Sequence, residues 1–180
     1  GSWGFLPETI EFCGETRLSV AKELECSDKM LADISALSKF TAIERLNISK
    51  TKVTDLSPLS ESKTLKYLYI SETKVSDLAP LKNIASLKII DFSETPVTNV
   101  GPIKDLPNLY EIDMGDTKVT DISPLVSLPE LQSLDINDTP IVDFTPISQM
   151  TNLTSVDFSG TELKELSMVG PLTKLKWLDV

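Results

Sequence analysis

Histidine is absent from this 180-residue chain. That removes Ser-His-Asp and Cys-His arrangements and disfavours ordinary zinc sites. Glycine is scarce, at seven residues, and no glycine-rich phosphate loop exists. With 17 basic residues against 27 acidic ones the net charge is −10, so the chain has little to offer the phosphates of a nucleic acid. The excess acid favours a basic partner, or simply solubility. No apolar run approaches the ~18 residues of a membrane span. No signal or transit peptide is evident; Gly1-Ser2 reads as an expression scar, which leaves the native N-terminus and any targeting signal on it outside this sequence. Two cysteines do not make a disulfide framework. A Cys13–Cys26 bridge would suit a secreted protein, but spacing cannot supply the required Cβ geometry, and reduced thiols are the favoured reading.

What the chain has is repetition. Thr51, Thr73, Thr95, Thr117, Thr139 and Thr161 recur every 22 residues without insertion. Around each lies one pattern, clearest in Leu65-Lys-Tyr-Leu68-Tyr-Ile70-Ser-Glu-Thr73-Lys-Val75-Ser-Asp77-Leu78-Ala-Pro80-Leu81. A unit this short cannot bury its apolar face alone, so the period predicts a solenoid of stacked coils.

The pattern resembles the leucine-rich repeat over roughly residues 18–180. Its D-L-x-P-L tail is most similar to the 22-residue class of bacterial internalins and of a protein phosphatase 1 regulatory subunit. The resemblance implies an α/β repeat: a right-handed solenoid with a concave parallel sheet and short 3₁₀ or α turns on the convex side. It also suggests a bacterial surface, secreted or host-delivered protein. Family members usually carry asparagine at the threonine position, where its amide bridges adjacent turns. Threonine has one donor where asparagine has two, and coils ~4.8 Å apart are too far for hydroxyl-to-hydroxyl bonds. Each hydroxyl must therefore reach neighbouring backbone.

Residues 1–23 comprise the scar and an N-terminal cap; residues 24–180 carry a degenerate first repeat, six regular ones and an incomplete last one. In the cap, Trp3, Phe5, Leu6, Ile10 and Phe12 are apolar enough to cover the open core. Thr9–Cys13 and Thr16–Val20 should pair as a hairpin around Gly14-Glu15. The first repeat keeps Leu24, Cys26, Leu31, Ile34, Leu37 and Ile43 but has Lys29 for threonine and Ala36 for proline. In the regular repeats strand alternation points Leu46/Ile48, Leu68/Ile70, Ile90/Phe92, Ile112/Met114, Leu134/Ile136 and Val156/Phe158 inward. Past the bend, Val53, Val75, Val97, Val119, Ile141 and Leu163 also point in. Pro58, Pro80, Pro102, Pro124 and Pro146, each after a small residue, predict a helical start with that residue as N-cap. Asp55, Asp77, Asp121 and Asp143 precede these starts, where a carboxylate accepts backbone N–H groups. In the last repeat Met168 replaces proline, and a further strand ends at Val180 with no polar cap. Either more protein follows or this edge pairs, as in an end-to-end dimer; otherwise the chain is monomeric.

The outward strand positions are the candidate site. One row reads Asn47, Tyr69, Asp91, Asp113, Asp135, Asp157, Asp179. Glu111 flanks the acids on one side; Glu72, Glu94, Asp116 and Asp138 flank them on the other. Adjacent carboxylates ~4.8 Å apart repel by ~1 kcal/mol even in bulk water, so the column attracts lysine and arginine. A straight column offers few converging oxygens for a metal, and no cofactor is implied. Aspartate after the second leucine is also frequent in the repeats this chain resembles, which leaves a structural role open. Beside the column gather Arg45, Lys50, Tyr67, Tyr69 and Ile89; tyrosine and arginine are favoured interface anchors. Trp177 faces outward on the last strand. The carboxylates recur by register and form no isolated pair for acid–base chemistry. The reading is a non-catalytic module that binds a protein, with a basic surface, through Arg45, Asn47, Tyr67, Tyr69, Ile89, Asp91, Glu111, Asp113, Asp135 and Asp157. The alternatives are a targeting domain of a larger enzyme or effector, and a structural spacer.

Overall fold

The computed structural model describes residues 4–180; Trp3, counted above with the cap, lies outside them. Eight three-residue strands form one parallel sheet, in sequence order, every neighbour paired 22 residues apart: β3 (Glu23–Glu25), β4 (Arg45–Asn47), β5 (Tyr67–Tyr69), β6 (Ile89–Asp91), β7 (Glu111–Asp113), β8 (Ser133–Asp135), β9 (Ser155–Asp157) and β10 (Trp177–Asp179). The central residue of each strand from β3 to β9 is buried, while its flanking residues face the concave side. This is the period-two alternation that the sequence dictates. Together with the residues that follow the bend, these side chains make one continuous core from Leu24 to Leu172. Val53, Val75, Val97, Val119 and Ile141 are fully enclosed; Leu163, in the last coil, is only partly covered.

The threonines are buried, save the partly covered Thr161, and each donates its hydroxyl to the carbonyl three residues earlier in its own coil: Thr51 to Ile48, Thr73 to Ile70, Thr95 to Phe92, Thr117 to Met114, Thr139 to Ile136 and Thr161 to Phe158, at 2.6–2.8 Å. The single donor is thus used within the coil. Inter-coil bonding at the bend is left to the backbone, for example Glu72 N–H to the Ser93 carbonyl at 3.0 Å and Glu94 N–H to Gly115 at 2.9 Å.

Each convex turn is a 3₁₀ helix of three to five residues. The small residue before each proline is the first helical residue and not its cap; the position before it (Leu56, Leu78, Val100, Ile122 or Phe144) gives no side-chain bond. Capping comes from two residues upstream of the helix start. Asp55, Asp77, Asp121 and Asp143 accept the N–H of Ser57, Ala79, Ser123 and Thr145 at 2.8–3.0 Å, and Asn99 serves Gly101 in the same way. The N–H bonds, aided by the serine hydroxyls, hold the Asp55 and Asp121 carboxyls below the usual range, and at Asp143 the Thr145 hydroxyl does so first, with the Thr145 N–H second.

The cap departs from expectation in three ways. Strands β1 (Thr9–Phe12) and β2 (Glu15–Leu18) pair antiparallel with Phe12 opposite Glu15, so the turn is Cys13-Gly14 and not Gly14-Glu15. Both turn residues have positive φ, 55° and 74°, the geometry of a two-residue hairpin that matches strand twist. Among the described residues of the cap, only Ile10 and Phe12 seal the core, Phe12 meeting Phe40 edge-on at 6.3 Å. Phe5 and Leu6 are exposed, because they precede the strand whose alternation turns side chains inward. Finally, Cys13 and Cys26 are joined in a disulfide, correcting the expectation of reduced thiols. The hairpin lies over the first coil, bringing its turn onto the inward end of β3 with the two Cα atoms 5.7 Å apart.

At the other end Trp177, Leu178 and Val180 are exposed. Among the described residues no helix is long and apolar enough to cross a membrane.

Candidate functional site

The register places the outward residues in two straight rows. The first runs Glu23, Arg45, Tyr67, Ile89, Glu111, Ser133, Ser155, Trp177. The second runs Glu25, Asn47, Tyr69, Asp91, Asp113, Asp135, Asp157, Asp179. All ten candidate residues therefore share the concave face, none being split off to the convex side. Glu23 and Glu25 extend both rows and were not read as part of the face, because the first repeat lacks the threonine and proline that mark the others.

The aspartates have a structural task as well as a charge. In four successive coils one oxygen accepts the N–H two residues on: Asp91 from Ser93, Asp113 from Gly115, Asp135 from Asn137 and Asp157 from Ser159, at 2.8–3.1 Å. Asn47 does the same for Ser49. The side chain thus closes the turn that leaves the strand. On Asp91 and Asp157 the same oxygen also accepts the hydroxyl of Ser93 or Ser159, and in all four coils the second carboxylate oxygen is left for the face. Tyr69 stands in the same row without offering that bond.

The column's electrostatics are unfavourable. Asp113, half-buried, is pushed up to about 6 by desolvation and by the charges of Asp91, Asp135 and Glu111, against one bond from Gly115 N–H that pulls it down. Asp135 is raised in the same way, by burial and then by Asp157, Asp91 and Asp138. No lysine or arginine within the described residues forms a salt bridge with the column. Next to it, Lys50, Glu72, Glu94, Asp116 and Asp138 all hold the left-handed conformation at φ 50–61°, with Gly160 at 67° in the last coil. Glycine, asparagine and aspartate are the usual occupants of such a backbone, so the lysine and glutamates of the first three coils conceal it.

Toward the N-terminal half the face is aromatic. The Arg45 guanidinium lies 4.5 Å from the centre of the Tyr69 ring, and one of its nitrogens donates to the Tyr69 hydroxyl at 3.2 Å. Tyr110, just before β7, faces the same group. Burial raises its hydroxyl pKa first, with Tyr67, Glu111 and Tyr69 adding to the effect. All three tyrosines of the chain thus gather on this face. Tyr110 was missed because it precedes the strand and breaks the alternation. On the acidic half the small side chains of Ser133 and Ser155 open a trough of about 420 Å³, lined also by Glu111, Asp113, Asp135, Asp157 and Trp177. Among the described residues no three cysteine, aspartate or glutamate side chains converge as a metal site.

Stacked 22-residue coils, a parallel concave sheet and 3₁₀ turns opposite it define a leucine-rich-repeat protein. No protein-family model and no curated protein matches the sequence. Among solved structures it is similar to an internalin C2 from Listeria monocytogenes, at 25% identity over 87% of this chain and 69% of that one, with a TM-score of 0.81. An internalin, inlF, of the same organism matches at 22% identity over 93% of this chain and 64% of its own, with a TM-score of 0.61. The plant peptide hormone receptor RGFR1, solved in complex with RGF2, matches at 20% identity over 91% of this chain and 28% of its own, with a TM-score of 0.75.

Proposed function

We propose that the chain is a non-catalytic recognition module that binds a protein with a basic surface on its concave face. The observation that carries this reading is the juxtaposition of an arginine–tyrosine cluster with a carboxylate column lacking internal counter-ions. Tyrosine and arginine are typical anchors of protein interfaces. An unneutralised acidic row steers basic partners and raises their association rate. The peptide complex of the plant receptor and the kinship of fold with internalins support a binding role. The Cys13–Cys26 bridge favours an oxidising setting, as on a secreted or surface protein.

The test combines Tyr67→Ala, Tyr69→Ala, Asp113→Asn and Asp135→Asn in one variant. A partner captured by the parent chain is purified, and its affinity for both proteins is measured. We expect binding to be lost while the variant melts as cooperatively as the parent, and the parent's on-rate to fall with added salt. Unchanged affinity in the variant refutes the concave face as the docking surface.

A further inference from the structure

The two halves of the concave face differ in shape as well as charge, and the difference fixes what a single occupant must carry. Tyr67, Tyr69 and Ile89 are half-buried on neighbouring strands, with Tyr110 alongside and Arg45 packed on Tyr69. They present a firm, largely apolar shelf with hydroxyl tips. From β8 the first row changes from large residues to Ser133 and Ser155, and the sheet surface drops into the 420 Å³ trough. Glu111 stands at its near end, Trp177 at its far end, and Asp113, Asp135 and Asp157 along one side. The trough is too acidic for an apolar side chain and too narrow in polar donors for an acidic one. Its shape and charge suit a long side chain with an apolar stem and a cationic head: the stem over the serines, the head among the carboxylates, and the Trp177 ring within reach of a cation.

We propose that the face reads one extended segment of a partner protein, laid across the strands, with a large apolar or aromatic residue on the tyrosine shelf and a lysine or arginine in the serine-floored trough. This rests on the concave-face reading above and specifies its ligand. Three coils separate β5 from β8, ~14 Å at the parallel-strand spacing, which an extended chain covers in ~4 residues. The two determinants are therefore separated by about four positions along the partner. Recognition is directional, because the shelf and the trough are not interchangeable. The partner's cation also supplies the counter-charge that the column lacks, relieving the mutual repulsion of Asp113, Asp135 and Asp157.

The probe is a random peptide library displayed on phage, panned on the intact, oxidised chain. Enriched peptides are then synthesised and measured against the parent, the shelf variant (Tyr67→Ala with Tyr69→Ala), the trough variant (Asp113→Asn with Asp135→Asn) and the fourfold variant. Both double variants must first unfold in one cooperative transition, the trough variant at or above the parent temperature. We expect an apolar residue and a lysine or arginine at the stated separation. The shelf variant should weaken binding at least about tenfold and cease to discriminate the apolar residue, and the trough variant should do the same for the basic one. Replacing the peptide's basic residue by glutamine should cost the parent chain much and the trough variant little. Peptides that lose binding to the fourfold variant but lack the paired signature overturn this inference and leave the concave-face reading standing. Peptides that bind the fourfold variant as well as the parent overturn both.

Discussion

The carboxylate column predicts that Asp113→Asn stabilises the protein, and that the gain depends on pH. In the folded chain the Asp113 carboxyl is raised from 3.8 to about 6, chiefly by desolvation and then by Asp91, Asp135 and Glu111. Between those two values the native state binds more protons than the unfolded one, so stability falls as pH rises. The undiscounted linkage is about 3 kcal/mol. The group is only half-buried and solvent screens its neighbours, which brings the net penalty at neutral pH to about 1 kcal/mol. Asparagine keeps an Oδ1 to accept the Gly115 N–H, now at 3.1 Å, and removes the charge. The variant should therefore melt ~2–4 °C above the parent at pH 7.5, given the size dependence of such shifts. The advantage should shrink with salt and vanish below about pH 3, where the wild-type carboxyl is protonated in both states. Asp121→Asn is the control of opposite sign. Its carboxyl is held low by the Ser123 N–H and hydroxyl, so its charged form favours folding above the unfolded value, and that contribution is lost as pH falls. That variant should be less stable than the parent at pH 7.5, with the difference narrowing in acid. Urea melts of the three proteins across pH decide the matter. A neutral or negative effect of Asp113→Asn at pH 7.5, or an equal gain at both pH values, refutes the repulsion argument.

Other expectations follow from the fold. Thr117→Val keeps the shape of a buried side chain but strips the Met114 carbonyl of its hydroxyl donor, so it should cost about 1–3 kcal/mol in denaturant melts, with Thr117→Ser closer to neutral. Reducing Cys13–Cys26, or replacing both by serine, releases a closed loop of 13 residues and should cost about 3 kcal/mol; a thiol titration of unfolded, unreduced protein should find no free thiol. Glu94→Asn relieves a non-glycine left-handed residue at φ 54° and should gain up to about 1 kcal/mol, whereas an equal gain from Lys104→Asn, outside that conformation, would show that backbone strain is not the cause.

The solenoid was legible because its constraint is periodic. A buried position recurs at one register, so Leu68 and Ile70 announce Leu46, Ile48 and every later pair, and no tertiary information is needed to stack them. Features without a period were not legible. The disulfide depends on where a non-repeating hairpin lands, and the turn shift from Gly14-Glu15 to Cys13-Gly14 was hidden because cysteine is an uncommon residue at positive φ. The left-handed bend was hidden for the opposite reason. It recurs in every regular coil, but Lys50, Glu72 and Glu94 fill the first three, and neither lysine nor glutamate advertises that conformation; only Asp116, Asp138 and Gly160 further on are residues that favour it. Tyr110 lay outside the strand alternation that was used to read the face.

The periodic and the aperiodic residues of the concave face also carry different weight as evidence of function. An aspartate at the end of each strand is accounted for by the turn it closes, since Asn47 performs the same bond without charge. Charge in that row is thus more than folding requires, but the side chain itself is not. Tyr69 is the converse case. It stands where an aspartate or asparagine would have bonded the Ser71 N–H, and it carries the Arg45 contact instead. That coil forgoes a local bond to place an aromatic ring on an open surface, a choice the stack does not ask for. If folding alone set this row, Tyr69→Asn should raise stability by restoring the turn bond without adding charge beside Asp91, at the expense of any partner that uses the shelf. A stabilised variant that no longer binds would locate the functional pressure at this residue. A destabilised one would show that the Arg45–Tyr69 pair supports the coil, and the argument for the shelf would then rest on Tyr67 and Ile89.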